Sequence, residues 1–278
     1  MTTVALLGAG GKMGVRLAAN LAKSDYETLH VEVSPQGQAR LKEETGLDCV
    51  SQAEALDKAD AVILAVPDRL IGKVLTSFVS ELKPGTAVIM LDAAAPYAGE
   101  LPQRDDVTYF VAHPCHPPLF NDETEMAAKK DYFGGVAAKQ HIICSLDQGP
   151  EDHYQMCEDI ARAFYAPVMR AHRCTTEQMV ILEPALSETV GATFAKALAD
   201  ATQAAADRGV PYQAAEDFIL GHLTILLAVA FGHQPGGKLS DACLLAIEEA
   251  EPMIFKEGWL ERTFDPESIR ASVKSIIR

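Results

Sequence analysis

Apolar runs and amphipathic stretches alternate through the first half of this chain. Thr3-Val4-Ala5-Leu6-Leu7 is a short β-branched and apolar run, and residues 15–22 carry apolar positions at helical spacing. A second strand is predicted over 27–33, a helix over 35–44 and a short strand over 47–50. Residues 59–66 are continuously apolar, as expected of a parallel strand buried on both faces. A helix over 69–82, closed by Lys83-Pro84-Gly85, leads to strands at 86–91 and 107–111. A strand at 135–145, a helix at 151–165 and a strand at 168–171 complete the alternation. After Thr175 the period changes: 177–208, 213–231 and 240–255 read as long helices rich in alanine and leucine, with Gly209-Val210-Pro211 as a stop. The prediction is an α/β protein, with a doubly wound sheet in residues 1–173 and an all-helical domain in 174–278 that shares a cleft with it.

The first turn of that pattern carries chemistry. Gly8-Ala9-Gly10-Gly11-Lys12-Met13-Gly14 lies between strand and helix, the context a dinucleotide-binding glycine motif requires. Gly8 permits a tight turn, Gly10 and Gly11 let the backbone approach a pyrophosphate, and Gly14 lets the helix lie close on the strand. Lys12 and Met13 offer backbone amides at the helix N-terminus. Glu32 ends the second strand about 20 residues on, where an acid binds a ribose 2′-hydroxyl and repels a 2′-phosphate. The sheet is therefore expected to be of Rossmann type, with NAD as cofactor. Asp68, just past the apolar strand, stands at the carboxyl edge where such sheets bind ligands and joins the expected cofactor set.

Lysine and arginine total 24 against 39 acids, a formal charge of −15, which argues against nucleic acid and anionic membrane as partners. Six cysteines without a C-x-x-C pair read as reduced thiols of a cytoplasmic protein. The chain opens directly on a strand, with no room for a signal peptide, and the longest apolar stretch, 223–231, is shorter than a bilayer span.

Two further residues stand out. His113 precedes Pro114, Cys115, His116, Pro117 and Pro118, a stiff loop expected directly after a strand. Glu183 lies in the apolar segment 179–182 and is followed by Pro184, whose missing N–H should kink a helix. A carboxylate in apolar company must be paired or coordinated, so Glu183 reads as a metal ligand or a base, with an exposed helix-turn acid as the alternative. Glu188 reads as a helix-turn acid, Lys196 as a surface lysine and His222 as a bonded core or interface histidine.

The layout resembles the superfamily of 6-phosphogluconate dehydrogenase, prephenate dehydrogenase and ketol-acid reductoisomerase. Within it, VAHPCHPPLFNDE (111–123), ILEPALSETVGA (181–192) and AADRGVPYQAAEDFILGHL (205–223) resemble the D-apionate oxidoisomerase group. That resemblance implies NAD-dependent oxidation of a branched sugar acid coupled to a carbon-skeleton shift, with a small sugar acid as substrate. Such a rearrangement needs adjacent oxygens chelated and polarised, so a divalent metal, zinc first, is expected on His113 and Glu183. The residues alone support only metal-assisted hydride transfer, and which group is the general base stays open. The alternatives are a simple or decarboxylating hydroxy-acid dehydrogenase, and a non-catalytic NAD sensor. The apolar helices after 177 predict a homodimer.

Overall fold

The computed structural model describes residues 1–278. Seven strands form one sheet: β1 (Thr3–Leu7), β2 (Glu27–Val31), β3 (Ala61–Leu64), β4 (Ala87–Met90), β5 (Thr108–Pro114), β6 (Gln140–Gln148) and β7 (Val168–Arg173). Their order is β2-β1-β3-β4-β5-β6-β7. The first five are parallel, β6 runs antiparallel to β5, and β7 is parallel to β6. This is the doubly wound, Rossmann-type sheet expected.

The connecting helices are α1 (Lys12–Leu21), α2 (Pro35–Thr45), α3 (Gln52–Lys58), α4 (Asp68–Phe78), α5 (Ala94–Tyr97), α6 (Met126–Lys129), α7 (His153–Phe164) and α8 (Thr176–Val180). Residues two apart on the central strands, Val4 and Leu6, Ala61 and Ile63, Ala87 and Ile89, Phe110 and Ala112, face the core that also takes Val15, Leu17 and Leu21 of α1 and Ile160 and Phe164 of α7. Their alternates Ala5, Val62, Val88 and Val111 are equally buried, which is why these strands read as unbroken apolar runs. Local chemistry closes α2 at both ends. Ser34 caps it by accepting from the Gly37 N–H, Pro35 opens it, and Gly46 ends it at φ 76°.

The chain divides into two compact units, Met1–Val180 with Arg270–Arg278, and Ile181–Ile269. The division falls after Val180 rather than after residue 173. The reason is that α8 belongs to the sheet: Thr176 Oγ1 donates to Asp147 Oδ1 at 2.6 Å and lies 3.1 Å from Ser145 Oγ on β6, while Met179 and Val180 are buried. Three local expectations also shift. The strand expected at 47–50 reduces to a single bridge between His30 and Cys49. β6 begins at Gln140, because Asp131 gathers the N–H groups of Gly134, Val136, Ala137 and Ala138 into a loop. His113 and Pro114 lie inside β5, since antiparallel pairing carries that strand on, with His113 opposite Ile143 and Pro114 opposite Ile142.

The second unit opens on a π-helical segment, Ile181–Ala192, containing Pro184. A proline cannot supply the ordinary helical N–H, and the turn here is widened to a π pattern, with Thr189 Oγ1 donating to Pro184 O at 2.7 Å. Then follow α9 (Thr193–Ala206), α10 (Tyr212–Ala230), α11 (Asp241–Ile254) and α12 (Trp259–Thr263), and α13 (Pro266–Ile276) passes from this unit into the first at residue 270. Phe194, Phe255 and Trp259 form an aromatic cluster with ring centroids 5.1–6.0 Å apart. No residue of α10 or α11 is buried.

Candidate active site

The carboxyl ends of β1 to β5 collect the site of the first unit, as the topology of an open parallel sheet dictates. At the end of β1, Gly8 adopts φ +80°. Its N–H and that of Ala9 both donate to Val31 O, at 2.9 and 3.1 Å, and so tie the glycine turn to β2. Gly14 is required by close approach: a Cβ there would lie 2.0 Å from Gly8 O. Gly11 caps α1 without a side-chain hydrogen bond, so the backbone amides of the first turn, those of Lys12 and Met13 among them, suit an anionic group. Arg40 donates to Gly10 O at 2.9 Å. An open cavity of about 540 Å³ borders this turn, lined by Lys12, Met13, Arg16, Arg40, Glu44 and Phe133.

Glu32, half-buried after β2, accepts from the Gly10 N–H at 3.1 Å and from the Ser34 N–H at 2.8 Å. Asp68 is the first residue of α4, beyond the end of β3, and half-buried. Among the sequence-predicted residues, the structure thus brings Gly8, Gly10, Gly11, Lys12, Met13 and Glu32 into one linked turn, with Asp68 on the same sheet edge. These features fit a dinucleotide. The glycines leave the backbone of the turn bare, and the carboxylate beside it is already fixed by two amides.

At the end of β5, His113 Nδ1 lies 2.8 Å from Leu91 O. A carbonyl only accepts, so Nδ1 carries the proton, and in the neutral ring Nε2 carries the lone pair. Asp92 Oδ2 is 3.7 Å from Nδ1, and Asp92 is itself held by the Ala94 N–H on Oδ1 at 2.7 Å. Asp92 was missed by sequence reasoning. Its signal was present, an acid directly after the apolar strand 86–91, but nothing in the sequence near it says which side chain it would face. An imidazole with one nitrogen fixed by a carbonyl beside a carboxylate is oriented for proton transfer or metal ligation at the other.

His116 plays a different part. Its φ is +59°, its Nδ1 donates to Phe133 O at 2.9 Å and its ring meets Phe133 edge-on at 5.4 Å. Arg16 stacks over the same Phe133 at 5.0 Å. The histidine therefore pins the loop ahead of β6 rather than extending the His113 site. Glu183 is half-buried in the first turn of the π-helical segment of the second unit. His222 is exposed rather than in a core, stacked on Phe218 at 4.0 Å with Nδ1 on Phe218 O. Lys196 is a surface residue paired with Asp200. No three His, Cys, Asp or Glu side chains converge as a metal cluster.

Residues 3–96 match the family model described as NADP oxidoreductase coenzyme F420-dependent, and residues 121–277 that described as phosphogluconate dehydrogenase (decarboxylating) C-term. A D-apionate oxidoisomerase of Rhizobium rhizogenes strain K84 is 55% identical over 276 residues, 99% of this chain and 100% of the relative. One from Cupriavidus necator strain N-1 is 55% identical over 273 residues, 98% of each chain. A solved semialdehyde dehydrogenase NAD-binding protein from Cupriavidus necator, in complex with calcium and NAD, superposes with a TM-score of 0.97 at 54% identity, covering 99% of both chains.

Proposed function

This chain belongs to the D-apionate oxidoisomerase family of NAD-dependent oxidoreductases, and from that premise we propose that it oxidises D-apionate, or a closely similar branched sugar acid, and shifts its carbon skeleton to a 3-oxo-isoapionate-type product. The observation that carries this reading is 55% identity, over 99% of the chain and 100% of the relative, to a protein named for that activity. NAD, when bound, supplies the hydride acceptor. The glycine turn with the Lys12 and Met13 amides would hold its pyrophosphate, and Glu32 would accept from its adenosine ribose, with Asp68 at the same edge.

His113, held through Nδ1 by Leu91 O with Asp92 alongside, is then either the base that takes the hydroxyl proton of the substrate or a donor to a cation. We carry the second role further and propose that His113 and Glu183 each donate to a divalent cation. A hard-oxygen substrate together with one imidazole and one carboxylate suits zinc or another divalent ion, and the Cupriavidus necator protein described with calcium and NAD keeps calcium among the candidates. Such a cation would chelate and polarise adjacent substrate oxygens.

The test is incubation of the purified protein with D-apionate and NAD, with and without chelator, followed by NADH absorbance and carbon NMR of the product. A shifted skeleton supports the proposal, whereas unchanged connectivity or released CO2 favours a simple or decarboxylating dehydrogenase. Turnover indifferent to chelator, in protein without bound metal, removes the cation. Metal content measured separately in His113→Ala and Glu183→Ala assigns the ligands.

We also propose a homodimer through α10 and α11. The apolar stretch 223–231 is part of the 19-residue α10, of which an 18-residue window has a mean hydropathy of 1.3, long and apolar enough by length and composition alone to cross a membrane; no residue of this helix is buried in the chain. A partner surface in water fits the same residues, because Glu216, Asp217 and His222 lie on the helix among its apolar positions while Phe218 is 66% and Leu245 56% exposed. A monomeric mass in light scattering would overturn this.

A further inference from the structure

Gly37 occupies the first turn of α2, where alanine is the better helix former. Packing accounts for the glycine. A Cβ at this position would lie 2.6 Å from Glu32 Cδ, 2.7 Å from Cγ and 3.0 Å from Oε2, and these side-chain atoms are the nearest it would meet. The Glu32 carboxylate fills that space because both its oxygens are tied to backbone. Oε2 accepts from the Gly10 N–H and Oε1 from the Ser34 N–H. Ser34 Oγ in turn accepts from the Gly37 N–H at 2.9 Å, and Gln38 Nε2 donates to Glu32 O at 2.7 Å. The carboxylate is lodged between the phosphate turn and the start of α2, over the one residue without a side chain.

We infer that Gly37 is a positioning residue that sets the choice between dinucleotides carrying a 2′-hydroxyl and those carrying a 2′-phosphate. The inference rests on the reading of Glu32 as the partner of the adenosine ribose. A carboxylate fixed by two amides accepts from a 2′-hydroxyl without reorganising, and it cannot turn to solvent to admit a phosphate dianion. A carboxylate pushed out by a methyl group at residue 37 loses both amides and gains that freedom. Discrimination here therefore depends on empty space as much as on charge.

The experiment measures dissociation constants of NADH and NADPH for the whole protein by titration calorimetry, with thermal melts of each variant. Gly37→Ala is expected to weaken NADH about tenfold and to leave NADPH no weaker, so that the preference shrinks about tenfold, as loss of hydrogen bonds to a charged group implies. Glu32→Gln is run beside it and is expected to shrink the preference too. In a Glu32→Ala background the clash with the carboxylate is gone, so Gly37→Ala should then leave the preference unchanged and not lower the melting temperature. Should Gly37→Ala keep the parental preference while Glu32→Gln loses it, the role of Gly37 is overturned and the ribose reading survives. Should Glu32→Gln keep it, the ribose reading fails and the inference with it. If Gly37→Ala does not fold, Ser34→Ala takes its place by releasing the Gly37 N–H. A reduced preference supports the inference, and an unchanged one overturns it.

Discussion

Asn20 offers a quantitative test of what holds the first unit together. It is 6% exposed on α1, and its Nδ2 donates to Gly135 O at 2.8 Å, Phe164 O at 3.1 Å and Ala166 O at 3.1 Å. One amide thus joins α1, the loop before β6 and the end of α7, with two hydrogens shared among three carbonyls. Asn20→Ala removes all three bonds and leaves no side chain that can replace them. Losing the donor costs on the order of 1 kcal/mol at each of the three carbonyls, one buried and two half-buried, the low end because carbonyls tolerate under-satisfaction better than N–H groups, so the sum is at most about 3 kcal/mol. For a chain of this size that corresponds to a melting temperature lower by about 6–12 °C, and to a lower urea midpoint at unchanged slope. Asn20→Asp should be worse than alanine, because a carboxylate would face three carbonyl oxygens. The loop 131–138 should also exchange its amide hydrogens faster, since Gly135 loses its tether. A melt of Asn20→Ala within about 2 °C of the parent would refute the reasoning, showing that water or relaxation replaces the amide at little cost.

Three further outcomes follow from titrating groups. His30 is buried with Nε2 unpartnered, and burial pushes its pKa down, so the unfolded chain binds the proton more readily; stability falls as pH drops below about 6.5, and His30→Leu should flatten that slope in urea titrations at successive pH values. Burial tends to push the Asp131 carboxyl up, but four backbone N–H bonds outweigh it and hold it below its ordinary value. Its stabilisation is present above about pH 4 and is lost as pH falls further, and Asp131→Asn should cost about 1–2 kcal/mol at neutral pH by chemical denaturation. Burial pushes the Cys144 thiol up and the Cys157 thiol to about 12, so both should label roughly a thousandfold more slowly than exposed Cys115 in the native protein, as peptide mapping after timed alkylation would report.

Much of the first unit was legible because its signals are local. Unbroken apolar runs announced strands covered on both faces, and the glycine spacing announced a turn that the structure closes with Gly8 at positive φ and Gly14 against Gly8 O. The second unit was legible as helical period but not in detail. Pro184 was expected to disturb a helix, and the form the disturbance takes, a widened π turn, was not foreseen. Within it Thr189 reaches back to a carbonyl five residues earlier, which no propensity describes. His113 was singled out correctly as a strand-end residue, yet its strand was drawn too short, because only pairing with β6 extends it.

Periodicity, glycine spacing and the acid after the second strand are properties of neighbouring residues, and so composition and order alone determined the α/β class, the Rossmann turn and Glu32. Tertiary structure decided whatever depends on groups distant in the chain. It set Asp92 of one strand end beside His113 of the next, made Asn20 the tie among three segments, and kept Gly37 bare so that a carboxylate five residues earlier could lodge over it. The physical reason is that side-chain orientation and empty space belong to packing: a sequence states which atoms are available, and only the fold states which of them meet.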